Sequence, residues 1–308
     1  MNILTLINAL PGAAAQGLIW GIMAIGVYLT FRILDVADLT VDGTMCTGGA
    51  VCVMMLMSGH SVWVSMLAAT GAGMLAGLAT GIFHTFMGIP AILAGILTQL
   101  GLYSANLKIM GKANQPVSVD NYPLVVSLRY VTDGSVSRLL FFLGMIVFLL
   151  ALIAVMYWYF GTEQGHAIRA TGCNGNMARA QGINTNFIKV LALMISNGLV
   201  GLCGALYGQF QGAADVNMGR GAIVIGLAAV IIGEVLFGKF ASKRKLAFAF
   251  TLASVILGAV IYYMVYQFVL WLKMPSEDMK LFSAIVVAIF LAIPYLKEKR
   301  TLRKGASK

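Results

Sequence analysis

Long apolar runs separated by short polar breaks dominate the chain, and they predict membrane-spanning helices near residues 12–31, 44–57, 62–83, 90–107, 139–160, 190–210, 223–237, 246–270 and 281–296. A run of about 20 apolar residues, wound as a helix, crosses a hydrocarbon core of roughly 30 Å. The expected fold class is therefore all-α, a polytopic membrane bundle of about nine transmembrane helices. Two of the spans, 44–57 and 223–237, are short. Each follows a polar segment, 32–43 or 211–222, which itself follows a long span. By the orientation derived below, these two units run in opposite directions. Inverted repeats are expected on this ground, roughly 1–135 and 136–296 within a single transmembrane domain 1–308. Interrupted helices around a midplane pathway are a device of transporters.

Composition supports the bilayer as solvent. Hydrophobic residues make up 60% of the 308 and charged residues 10%, against roughly 45–50% and about 25% in soluble domains. The 21 Lys and Arg outnumber the 11 Asp and Glu, yet most cations cluster beside apolar runs, which points to membrane orientation and not to nucleic acid. Arg169, Arg179 and Lys189 lie in one loop, Lys239, Lys243, Arg244 and Lys245 in another, and the tail 297–308 carries six more. The positive-inside rule makes all three cytoplasmic. Nine spans then put the N-terminus outside, and the first span, with no cation before it, is expected to be retained. The segments 110–138, 211–222 and 272–280 face outward as candidate docking surfaces.

Small residues recur at four-residue spacing in Gly73, Gly77 and Gly81, in Gly204 and Gly208, and in Gly17 and Gly21. Close helix packing in lipid favours that pattern whatever the protein does.

Candidate chemistry concentrates in FRILDVADLTVDGTMCTGG, where Arg32, Asp35, Asp38 and Asp42 fall between two apolar runs. As a helix, the segment sets these four roughly along one face, lining a conduction path with Arg32 paired to Asp35. As a short cytoplasmic turn, its aspartates cap the next helix. Both readings stand. On the opposite side, Asp215, Asn217 and Arg220 form either a polar vestibule or a solvated loop. Glu234 interrupts the seventh span, where it snorkels to the interface or pairs with Lys239. GEVLFGK, residues 233–239, approaches a phosphate-binding loop but follows an apolar helix and continues with Phe240, so nucleotide binding is rejected. His60, His84 and His166 are isolated, and Cys46, Cys52, Cys173 and Cys203 lack metal or disulfide spacing. No cofactor, metal site or catalytic residue is expected.

One stretch is more specific. EQGHAIRATGCNGNMARAQGIN, residues 163–184, opens into a Gly- and Ala-rich helix. It resembles the loop of permease subunits of branched-chain amino acid and ribose-type ABC importers, with Arg169, Ala170, Met177, Ala178, Gly182, Ile183 and Asn184 in the matching places. FRILDVADLTVDG looks like a variant of that family's early motif, in a branch associated with aromatic amino acid uptake. The resemblance implies a permease in the bacterial cytoplasmic membrane that pairs with a second permease chain. It also implies cytoplasmic ATP-binding subunits, which do the hydrolysis, and an external substrate-binding protein or lipoprotein. The solute is then a small polar one, with an amino acid the leading candidate. Residues 163–185 become the coupling loop, in which Ala167, Ile168, Met177 and Ala178 insert into an ATPase groove, Arg169 and Arg179 pair with partner acids, and Ala170, Gly172, Gly175 and Ala178 permit close approach. Two other classes remain: an ion-coupled secondary transporter using Asp35, Asp38, Asp42 and Glu234, and a non-transporting membrane scaffold or receptor.

Overall fold

The computed structural model describes residues 3–132, 135–241 and 246–272, together with Leu281, Ile285, Ala288 and Ala292. Apart from Leu272 and those four positions, the expected span 281–296 and the loop 272–280 lie outside the described residues, as do the cations Lys243, Arg244 and Lys245 and the basic tail. Helices match the eight other expected spans. They are α1 (Ile3–Tyr28), α2 (Val41–Met57), α3 (Val62–Thr85), α4 (Ala91–Met110), α6 (Ser135–Tyr159), α9 (Thr185–Gln211), α10 (Ala222–Ala241) and α11 (Ala247–Trp271). Short helices α5 (Leu128–Thr132), α7 (Glu163–Cys173) and α8 (Gly175–Ala180) lie in the connections. Among the described residues six helices are long and apolar enough to cross a membrane, while α2 and the apolar part of α10 are shorter.

Local chemistry sets the ends. Ser61 caps α3 by accepting the Val64 N–H, and Gly111 and Gly212 close α4 and α9 with positive φ, a conformation that costs glycine little. The helix α1 begins well before residue 12 and runs through Pro11; in lipid-spanning helices neighbouring groups compensate the lost hydrogen bond. Among the described residues a short sheet interrupts the helices. Strands β1 (Asn114–Pro116) and β2 (Ala213–Asp215) pair antiparallel, with Asn114 opposite Asp215.

The most enclosed helices are α9 and α1, and the least enclosed are α4 and α6. Leu139, Leu140, Leu143, Val147 and Leu150 along α6 are exposed, as a lipid-facing stripe requires. Around α9 the glycine rows make backbone approach possible. A Cβ on Gly77 would lie 2.3 Å from the Leu193 carbonyl oxygen, and one on Gly204 2.0 Å from that of Met45. Thus α3 and α2 sit directly against α9.

Candidate translocation site and coupling surface

After α1 the chain widens into a π-helical turn, Leu29–Ile33, and then leaves the helix at Asp35, whose φ is +57°. The expectation of one helical face carrying Arg32, Asp35, Asp38 and Asp42 is therefore corrected: the backbone between residues 35 and 40 is not helical, and the four side chains diverge. Asp38 is buried. Its carboxylate accepts the Thr40 N–H at 2.9 Å and the Asn197 side-chain amide at 2.6 Å. Asn197 donates also to the Leu193 carbonyl and accepts from the Thr44 hydroxyl at 2.7 Å. A hydroxyl chain of Thr40, Thr80 and Thr98, with contacts of 2.6 and 2.8 Å, completes this buried polar seam across α2, α3 and α4.

Asn197 fixes the depth of the seam. It is the thirteenth residue of the 27-residue α9, a helix of about 40 Å at 1.5 Å per residue, so Asp38 and Thr44 lie near the middle of the span. Short α2 therefore starts at mid-depth. Its Cys52 accepts from Gln209 near the end of α9, so α2 rises toward that end.

The second polar break, 211–222, was expected on the opposite side of the membrane. Instead it folds back to meet the first, because both start a short helix and each start has N–H groups to satisfy. Asp42 accepts from the Gly221 and Ile223 N–H groups, both at 3.0 Å. The Cys46 thiol donates to the Val216 carbonyl at 3.1 Å and accepts from the Gly219 N–H at 3.2 Å. The aspartate thus caps a helix, as one reading of the sequence held, but the helix is α10, some 180 residues away, in addition to the Asp38 turn at the start of α2. Asp42→Ala leaves two part-buried N–H groups without their acceptor. It should cost about 1–2 kcal/mol, seen as a lowered melting temperature and faster amide exchange at Gly221 and Ile223; unchanged exchange there would contradict the cap.

From this meeting point α10 runs the other way, toward the end of α1. There Glu234 receives the Arg32 guanidinium bidentately, with Nε contacts of 2.9 and 3.1 Å and an ion pair through Nη2. Arg32 therefore pairs with Glu234 and not with Asp35, which is exposed. The Lys239 side chain, the other expected partner of Glu234, lies outside the described positions. Asp215 sits in β2 and turns back to accept the Asn217 N–H at 2.7 Å. Asn217 and Arg220 are exposed.

The segment 163–184 forms α7 and α8. Thr162 caps α7, Asn174 caps α8 and Asn184 caps α9, while Gly182 turns the chain at φ +84°. Ile168 and Ala178 are buried within the chain, which corrects the expectation that they insert into a partner. Met177 is 62% exposed, Ala170 is exposed and Ala167 is half-buried. Arg169 lies 4.4 Å from the Phe248 ring and 5.5 Å from that of Phe160, and Arg179 donates to the Thr185 hydroxyl at 2.7 Å. The close approach predicted for this loop exists, but within the chain: a Cβ on Gly172 would fall 1.8 Å from the Ile33 carbonyl oxygen. So α7 rests on the π turn that carries Arg32. Sequence reasoning passed over Asn197, Thr44 and Cys46; an asparagine in the middle of an apolar run was the available signal.

A protein-family comparison matches residues 10–294 to the family described as branched-chain amino acid transport system, permease component. A tyrosine transport system permease protein of Clostridioides difficile is 40% identical over 90% of this chain and 88% of its own length. A galactofuranose transporter permease of Escherichia coli is 29% identical over 88% and 75%. An autoinducer 2 import system permease of Yersinia pseudotuberculosis is 30% identical over 86% and 70%. No solved structure matches the chain.

Proposed function

Because the chain belongs to the family of branched-chain amino acid transport system permease components, we propose that it is the solute-conducting subunit of an ATP-driven importer in the bacterial cytoplasmic membrane. Two chains form the pathway, a cytoplasmic ATPase docks on α7 and α8 of each, and an external binding protein delivers the solute. That solute is an amino acid, with an aromatic one favoured by the tyrosine permease relative.

The observation that carries the reading is the seating of α7 on the π turn at Gly172. It supports a rigid train from the cytoplasmic surface to mid-depth. Motion of α7 displaces Ile33, Arg32 carries it to Glu234 in α10, and the start of α10 is held by Asp42. Interior elements of this kind transmit displacement because they pack without slack. The two short helices start together and diverge toward opposite ends, which supports an inverted-repeat plan around a midplane pathway. Of the carboxylates an ion-coupled carrier would use, Asp38, Asp42 and Glu234 are engaged by Asn197, by the start of α10 and by Arg32, and Asp35 is exposed; the engagement of three of the four favours the ATP-driven reading.

The exposed Met177 gives the test. In vesicles holding the complete importer, Met177→Glu should lower solute-dependent ATP hydrolysis about tenfold or more by placing a charge in an apolar contact, with the permease still inserted and folded. Normal coupling in that variant would remove α8 from the docking surface.

A further inference from the structure

The mid-depth meeting of the two breaks leaves one cation without a partner among the described residues. Arg220 occupies the last turn before α10, next to Gly221, whose N–H is held by Asp42. Three successive backbone bonds brace that turn: Met218 N–H to Asp215, Arg220 N–H to Asn217 and Ala222 N–H to Gly219. Gly221 at φ +82° then directs the chain into the helix. The guanidinium is exposed, as are Asn217 and Val224 beside it, and neither described ion pair includes it.

Its depth makes the exposure informative. Gly219 lies against the Asp42 carbonyl, and Asp42 is two residues from Thr44, which bonds the centre of α9. A cation exposed to lipid at that level is costly, so this face meets water or a second protein chain.

The carboxylates nearby are engaged elsewhere: Asp42 accepts the Gly221 and Ile223 N–H groups, Asp38 the Thr40 N–H and the Asn197 amide, and Asp215 the Asn217 N–H. None of them forms an ion pair with Arg220.

We infer that Arg220 receives the carboxylate of the solute in the conduction pathway and makes this permease selective for carboxylate-bearing solutes over neutral ones such as sugars. The inference rests on the importer reading and names the group that chooses the cargo within it. A guanidinium fork grips a carboxylate through two parallel N–H donors. The braced turn holds that fork at the point where α2 and α10 diverge, so a solute bound there is reached from either end of the bundle as the helices rock.

The test uses the complete importer in vesicles with L-tyrosine as probe, supplied on saturating binding protein so that selection before the permease is constant. Arg220→Gln should lower ATP-dependent uptake roughly ten- to a hundredfold, the scale of losing hydrogen bonds to a charged group, and Arg220→Lys should restore part of it. Melting temperatures of both variants should match the parent. Uptake by Arg220→Gln equal to the parent, or Arg220→Lys as impaired as Arg220→Gln, overturns the role. As an independent measurement, Arg220→Cys on a Cys173→Ser background should react with a membrane-impermeant anionic thiol reagent and be protected by L-tyrosine during turnover. Failure to react places the residue away from water and also overturns it. A parent complex with no ATP-dependent uptake of any solute defeats the importer reading itself, whereas a parent that carries a neutral sugar and not tyrosine defeats only the assignment of Arg220.

Discussion

Gly204→Val should be severely damaging to the bundle. Its Cβ would sit 2.0 Å from the Met45 carbonyl oxygen and 3.1 Å from the Gly49 amide nitrogen, so the obstacle is backbone and no rotamer change relieves it. Overpacked interiors ordinarily lose about 1–3 kcal/mol, and more when backbone must move. The crossing of α2 and α9 also holds the Thr44, Asn197 and Asp38 seam in register, so separating the helices exposes bonded polar groups to an apolar surround. We expect little monodisperse protein and a melting temperature lowered by many degrees. Gly144→Val in α6, where nothing lies within 4 Å, should leave both unchanged. Equal behaviour of the two variants would show that α2 and α9 do not touch as described.

The second large effect concerns the pairing of Arg32 with Glu234. Glu234→Arg sets two cations together where the bidentate contact was, and like charges at such range repel, with the Glu234 side chain the more enclosed of the two. Transport should fall more than about tenfold. The reciprocal double variant, Arg32→Glu with Glu234→Arg, should recover much of the loss, because the pair joins two helices and its direction is immaterial to that task. Recovery is the discriminating result. If the double variant is as inactive as the single one, each residue acts separately and the chain of contacts from α7 to α10 is broken at this link.

How far the sequence discloses this arrangement depends on the kind of signal. Helix existence follows from apolar run length, which one residue's neighbours decide, so α3 and α9 are legible within a few residues. The glycine rows were legible too: Gly73 and Gly77 meet Asn197 and Leu193 of α9, and Gly17 meets Val260 of α11. Boundaries moved where tertiary contacts outweigh local preference, as at Pro11 in α1. What spacing could not give was partnership. Arg32 and Glu234 are 202 positions apart, and Asp35 was a nearer acid by sequence alone. A left-handed residue at Asp35 turns the chain before any helical face can form. The segments 32–43 and 211–222 likewise carry no mark that they meet, since each supplies only half of a complementary set: carboxylate and thiol from one, backbone N–H groups from the other. In the segment 163–184 the residue types were legible as amphipathic, but which small residues face inward was decided by the neighbouring π turn.

The little ladder between β1 and β2 has a mechanical corollary. Its rungs, extended by the Val117 N–H to the Gly212 carbonyl, strap the long connection after α4 onto the very stretch that descends to Asp42. Backbone ladders resist sliding, because a one-residue slip turns every side chain over. Whatever tugs the surface connection therefore hauls the descending stretch with it, like a drawstring whose knot lies deep inside the wall.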